Sequence, residues 1–316
     1  MHDPPANGGP ISKWIELRRL LVPLDGSRRA EAAIPPALAL AERTGATVTL
    51  IHVLEHDAPA TVHGEPHLNT TADAAAYLER EAARFVTAGV SVETHVHDNP
   101  ERDVSASIAA HGNELNVDLI VLAAHGAGGL RGFLFGRVAQ QVLRRGTRPL
   151  FLVQADGEDD TARRYTCDSI ALLLDGSTQA IQALPIALPV AHAFQATMHL
   201  IAAVPTVGQL GSNRSPAVTL LPGAARAVLD LEEDATADYL SRVATAVRNQ
   251  GIVVTTTVVR GDPADATVAA AERVHADLLA LATHGRQGLS GIWSGSIGAR
   301  VLARFNRPLL LARAPE

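Results

Sequence analysis

Asp25 stands in the string Leu24-Asp25-Gly26-Ser27, and Asp175 stands 150 residues later in Leu174-Asp175-Gly176-Ser177. A second pair of strings is rich in glycine. One runs from Ala123 through His125-Gly126 and Gly129 to Gly136-Arg137-Val138, the other from Ala282-Thr283-His284-Gly285-Arg286 through Gly288 to Gly295-Ser296-Ile297. These residue types suit an anion. Glycine lets the backbone take positive φ and come close to a ligand, and successive backbone N–H groups can form an anion-binding nest. A helix opening at Gly295-Ser296 would aim its free N–H groups and positive dipole end at the same point, and the Ser296 hydroxyl adds a donor. A carboxylate such as Asp175 repels bare phosphate, but it can bind a ribose hydroxyl or hold a Mg²⁺ that bridges phosphates.

Other readings compete at each position. Tight strand-to-helix turns need glycine with no ligand at all. Asp25 and Asp175 fit turn or helix-capping roles, as do Ser27 and Ser177. His125 and His284 each follow a buried run and can hold a loop by hydrogen bonds. The local sequence shows no Ser/His/Asp or Cys/His arrangement, so no catalytic residue is assigned. His95 and His97 alternate on a strand, share one face and could ligate a metal. Such a pair is more often solvated surface. It is read so here, as are His52 and His56, and no metal site is expected.

The elements that position these strings are themselves repeated. His125-Gly126 returns as His284-Gly285 and Gly136 as Gly295, both at an offset of 159. Arg148-Pro149-Leu150 likewise returns as Arg307-Pro308-Leu309. The order is preserved, and a period near 150 is too long for a solenoid. One whole domain is duplicated. The expected organisation is a Pro- and Gly-rich leader over 1–17, a first domain over 18–154, a polar linker over 155–164 and a second domain over 165–316. Within each half, short apolar runs alternate with helical stretches. In the first half the strands are read at Leu20–Leu24, Val48–Leu54, Val90–His97, Leu119–Ala124 and Leu150–Val153. The helices are read at Arg28–Arg43 (kinked by Pro35 and Pro36), Ala72–Ala88, Pro100–Leu115 and Gly136–Arg145. Residues His56–Asn69 and Pro205–Gly223 read as surface loops. Buried strands alternating with helices imply a doubly wound α/β domain with a parallel sheet. Ligands of such sheets bind at the carboxyl ends of strands, where the strand order reverses.

Composition excludes several classes. The formal net charge is −6 and no basic block exists, which argues against nucleic acid and anionic membrane as partners. Lys13 is the sole lysine, so a Walker A loop is excluded. Cys167 is the single cysteine, which rules out an internal disulfide and fits a cytoplasmic location. No apolar run approaches the length of a membrane span. Apolar residues form 47% of the chain and aromatics only 3%, so the cores must be aliphatic.

Both halves resemble universal stress protein domains. That family carries a motif of the form G-x-x-G, nine residues, then G-[S/T] after the fourth strand, and an Asp after the first. The likeness runs from about Arg19 to Ala312. It implies, for each half, a Rossmann-like domain of the adenine nucleotide α-hydrolase-like kind, with a five-stranded parallel sheet in the order 3-2-1-4-5. It also implies ATP with Mg²⁺ at the motif loop, and pairing of domains through their last strands, with a further homodimer left open. The second half matches at Asp175, Gly285, Gly295 and Ser296, with nine residues between the glycines, and Ala282 replaces its first motif glycine. Val204 matches the end of the second strand, where the family's backbone contacts adenine. The first half matches at Asp25, Val53, Gly126 and Gly136, and Ala123 replaces its first glycine. It departs at Arg137, where the family has Ser or Thr. Arg137 could pair with phosphate or fill its space, so the second half is the stronger nucleotide candidate. The resemblance implies an ATP-binding stress or regulatory protein with slow ATP hydrolysis at most, since no strong nucleophile or general base is at hand. A nucleotide-independent dimerisation scaffold is the alternative.

Overall fold

The computed structural model describes residues 15–62, 64–124, 137–154, 164–206, 222–283, 300–301 and 304–313. The chain divides into two compact units. One joins Ile15–Thr166 with Asn306–Arg313, and the other is built on Cys167–Phe305.

In the first unit the chain runs β1 (Arg19–Pro23), α1 (Arg28–Glu31), α2 (Ile34–Thr44), β2 (Thr47–Glu55), β3 (Thr61–Val62), β4 (Glu65–Pro66), α3 (Thr71–Thr87), β5 (Val92–Glu101), α4 (Val104–Glu114), β6 (Leu119–Ala124), α5 (Arg137–Arg145) and β7 (Leu150–Gln154). The sheet order is β7-β6-β1-β2-β5, parallel throughout. Numbered by appearance of the sheet strands, this is the expected 3-2-1-4-5. Val22, Leu50, Ile120 and Phe151 are at or near zero exposure, because a parallel sheet covered on both faces buries every side chain of its central strands. β5 is flanked on one side only, and its residues are mostly half-buried or exposed. Asp118 clamps the entry of β1 against β6: its Oδ2 accepts from the backbone N–H groups of Arg18 and Arg19 at 2.8 and 2.9 Å. A last strand, β12 (Leu309–Arg313), pairs antiparallel with β7, with Leu310 opposite Phe151.

The second unit repeats the plan with β8 (Ser169–Leu173), a 3₁₀ turn at Ala180–Ala183, α6 (Leu184–Phe194), β9 (Thr197–Val204), α7 (Pro222–Arg248), β10 (Val254–Arg260), α8 (Pro263–Arg273) and β11 (Leu278–Thr283). Its parallel order is β10-β9-β8-β11. Asp277 repeats the clamp of Asp118, accepting from the N–H groups of Asp168 and Ser169. Asp262 caps α8 through Ala264 and Asp265 N–H, as Asp103 caps α4. The Arg300 guanidinium forks onto Asp262 at 2.6 and 2.8 Å, which ties the segment after the second glycine-rich string to α8.

Three local expectations need correction. The single kinked helix over 28–43 is two helices, because Pro35 and Pro36 fall in the first turn of α2, where a missing N–H costs nothing. β5 runs on through Pro100 to Glu101, and α4 starts only after the Asp103 cap. Proline is tolerated there because β5 is an edge strand, and Asp103 supplies the side-chain cap that Pro100 lacks. The loop over 56–69 contains a small antiparallel hairpin, β3–β4.

Candidate functional site

The loop after β1 is shaped by its own side chains. Asp25 Oδ1 accepts from Ser27 N–H at 2.9 Å and from Ser27 Oγ at 2.6 Å. Ser27 is fully buried and caps α1, with Oγ accepting from Ala30 N–H at 3.2 Å. Between them Gly26 takes φ +89°, a conformation that a Cβ would strain. The hairpin covers this loop. Leu68 stands so close to Gly26 that an added Cβ would meet it at 2.9 Å. Glu65 Oε2 accepts from the Arg28 N–H at 2.7 Å, so a carboxylate of the chain itself sits on the first free N–H of α1. In the first half an internal anion and an internal leucine occupy the approach to the Asp25 loop.

The second half repeats the loop, and among the described residues nothing covers it. Asp175 Oδ1 accepts from Ser177 N–H at 2.9 Å, and Ser177 Oγ accepts from Ala180 N–H at 3.0 Å. Gly176 takes φ +80°, and a Cβ there would meet no described residue within 4 Å. Asp175 is exposed, where Asp25 is half-buried. Tyr239 of α7 reaches toward this loop. Its hydroxyl is buried with no hydrogen-bond partner among the described residues. Burial, reinforced by the charge of Asp175, pushes its pKa up to about 12. The counterpart in the first half is Tyr77 of α3, whose hydroxyl donates to Glu31 Oε1 at 3.4 Å. Neither tyrosine is singled out by the motif strings. The signal that could have found them is the pair Tyr77-Leu78 returning as Tyr239-Leu240, at an offset of 162.

The remaining expected site residues divide sharply. Val53 lies near the end of β2 and Val204 ends β9; both are buried. The Val204 carbonyl accepts from Gly261 N–H at 3.0 Å. Ala123 in β6 and Thr283 at the end of β11 are buried, and Ala282 is half-buried beside Thr283. Arg137 and Val138 open α5, and Val138 is exposed. His125, Gly126, Gly129 and Gly136, together with His284, Gly285, Arg286, Gly288, Gly295, Ser296 and Ile297, lie outside the described residues. The two Asp loops and the strand ends therefore fall among the described residues, and most of the two glycine-rich strings does not. A separate cleft of about 650 Å³, lined by Arg43, Gly45, Gly89, Ser91 and Arg164 among others, lies at the amino ends of β2 and β5, away from the Asp25 loop.

The histidines depart most from their sequence reading. His52 is buried, not solvated: its Nδ1 lies 2.8 Å from the Leu24 carbonyl, to which it donates, and Nε2 has no partner among the described residues. β2 is buried at every position from Val48 to Leu54 because both faces of the sheet are covered, which a reading of isolated histidines ignores. Only His56 behaves as expected, exposed and 2.7 Å from Asp57. His95 and His97 are half-buried and meet a third imidazole, His111 of α4, that no short-range pattern links to them. Burial holds His95 below the usual histidine range, and the neighbouring His111 and His97 add to the effect.

Burial likewise lowers the pKa of His52. Below the ordinary histidine pKa of about 6.5 the unfolded chain takes up a proton that folded His52 refuses, so stability is lost as pH falls. His95 and His199 act in the same direction, while half-buried Glu31, whose pKa is raised, opposes them nearer the carboxylate range. Urea midpoints should fall between about pH 7.5 and pH 5.5. His52→Gln should flatten part of that slope, since glutamine keeps a donor for Leu24 and cannot titrate. An unchanged slope would refute the assignment.

The universal stress protein family model matches residues 16–154 and again residues 167–313, so each half carries the domain. The chain belongs to the universal stress protein family. A universal stress protein of Methanocaldococcus jannaschii is 28% identical over 148 residues, covering 46% of this chain and 82% of that protein. Universal stress protein A homolog 1 of Coxiella burnetii is 28% identical over 123 residues, covering 38% of this chain and 85% of that protein. Among solved structures, a universal stress protein of Archaeoglobus fulgidus aligns over 96% of this chain and 98% of its own, with a TM-score of 0.62 at 16% identity. A functionally unknown protein of Pseudomonas aeruginosa aligns over 94% of this chain and 93% of its own, with a TM-score of 0.65 at 19% identity. At these identities the structures speak to the tandem fold alone. No helix among the described residues of this universal stress protein is long and apolar enough to cross a membrane.

Proposed function

We propose that this universal stress protein binds ATP, with Mg²⁺, in its second half, and that it acts as a regulatory or stress-response protein in the cytoplasm rather than as a metabolic enzyme. The observation that carries the reading is the contrast between two copies of one loop. The Asp25 copy is covered by Leu68 and has Glu65 on its helix N–H. The Asp175 copy is exposed, with no described residue over Gly176. The sequence points the same way, since Gly295-Ser296 keeps the phosphate-binding ending that Gly136-Arg137 has lost. Asp175 would receive a ribose hydroxyl or the metal, the end of β9 at Val204 would flank the base, and the Gly285–Ser296 string would take the phosphates. No described residue near Asp175 supplies a strong base, and hydrolysis would be slow at most. Pairing of the halves through their last strands belongs to the same proposal, and the pairing of β12 with β7 supports it.

Calorimetric titration tests the reading. ATP should bind the full chain once, and Ser296→Ala, which removes one neutral hydrogen bond, should weaken it by up to about tenfold. Undiminished binding in Ser296→Ala, with loss in Asp25→Ala instead, would overturn the assignment to the second half.

A further inference from the structure

The strongest cluster of chemistry outside the Asp loops lies on the edge of the first half. His95 and His97 project from one face of β5, and His111 comes to them from α4. One ligand atom from each of the three lies within 4.8 Å of the other two. His95 Nε2 and His111 Nε2 are 3.1 Å apart. Tetrahedral zinc with Zn–N bonds near 2.0–2.1 Å holds its nitrogen ligands about 3.3 Å apart, so this pair already has the separation a metal needs. We propose that His95, His97 and His111 form a binding site for a divalent transition-metal ion of the zinc class.

Four further observations support the assignment. The first is the tautomer of His111. Its Nδ1 lies 2.8 Å from the Ser107 carbonyl, which can only accept, so Nδ1 carries the hydrogen and Nε2 is left with its lone pair toward His95. Metal-ligating histidines are oriented in this way by a backbone carbonyl on the other ring nitrogen. The second is exposure. His111 is buried whereas His95 and His97 are half-buried, so the cluster is open to an ion from solvent. The third is charge. Asp98 and Glu114 place negative charge near His95, and Glu101 lies 3.3 Å from His97 Nε2. A cation relieves three imidazoles crowded with ring centroids 4.9 and 5.0 Å apart.

The fourth is an internal comparison. By strand register His95 and His97 pair with Ile51 and Val53 of β2, as Thr257 and Val259 pair with Ile201 and Ala203 of β9. Counted from the capping aspartates Asp103 and Asp262, His111 corresponds to Ala270. The second half builds the same strand and helix with Thr257, Val259 and Ala270, and no imidazole at any of the three places. The architecture does not need these histidines, so their convergence in the first half calls for a role beyond packing.

The test uses the full chain, freed of metal by a chelator and dialysed against Zn²⁺ at micromolar concentration, with bound metal counted by mass spectrometry and Co²⁺ absorption reporting geometry. A single Zn²⁺ per chain is expected, together with the strong visible bands of four-coordinate Co²⁺. His95→Asn combined with His97→Asn, both at half-exposed positions, should abolish both signals while circular dichroism stays unchanged. His199→Asn in the second half should retain both. Absence of stoichiometric Zn²⁺ on the wild-type chain, or stoichiometry unchanged in the double variant, would overturn the site.

Discussion

Replacing Asp175 by alanine is expected to weaken ATP binding by about ten- to a hundredfold, the loss of a hydrogen bond to a charged group. Replacing Asp25 by alanine is expected to leave ATP binding unchanged. The two aspartates do the same local work: each accepts from the N–H of the serine two residues on, and each precedes a glycine at positive φ. A merely structural role would therefore make the two variants alike in binding. Their surroundings separate them. Asp25 also accepts from the Ser27 hydroxyl and lies beside a loop that Leu68 covers, whereas Asp175 is exposed and shares its surroundings with the Tyr239 hydroxyl, which has no partner among the described residues. Asp175→Asn refines the experiment, because the amide oxygen still accepts from Ser177 while the charge is gone. Calorimetry on the three variants reads the outcome. Equal losses in Asp25→Ala and Asp175→Ala would show that both copies bind or that both act only as turns.

Phe151→Ala is expected to destabilise the first unit by about 3–5 kcal/mol, the usual cost of emptying a buried phenylalanine site. Phe151 is fully buried near the start of β7. It is opposite Val121 of β6 on one side and Leu310 of β12 on the other, and it meets the Tyr165 ring edge-on at 5.9 Å. With aromatics this scarce, few side chains can refill the space. Val86→Ala, at an exposed position of α3, is the control and should change stability by less than about 0.5 kcal/mol. Urea denaturation followed by far-ultraviolet circular dichroism measures both. A Phe151→Ala cost no larger than that of Val86→Ala would mean that β7 is not part of a packed core.

Much of this architecture is written locally. Parallel strands buried on both faces leave continuous apolar runs such as Leu119–Ala124, and the duplicated strings give the order of elements without any structure. Boundaries were harder where two local signals competed. Pro100 reads as a helix start, but an edge strand tolerates proline and Asp103 caps better. Paired prolines read as a kink, but in α2 they fall in the first turn. The site was legible to the extent that it is local. The strings around Asp25 and Asp175 name themselves, and their capping roles coexist with exposure that sequence cannot report. What decides between the copies is long-range: Glu65 reaching Arg28 across 37 residues, and Leu68 over Gly26. The same holds for His111, which lies 16 residues from His95 in sequence and 3.1 Å away in space. No pattern of period two or 3.6 links a strand to the next helix, so the three histidines could be read only as a pair and a bystander.

The most direct test of the central claim is to denature the purified full chain and identify the small molecules it releases by mass spectrometry, before and after incubation with Mg-ATP. An adenine nucleotide at up to one equivalent per chain is expected from wild type and from Asp25→Ala, and a strongly reduced amount from Asp175→Ala. Release of no adenine nucleotide from wild type, even after incubation with Mg-ATP, would contradict the account and leave the tandem fold as a nucleotide-independent scaffold.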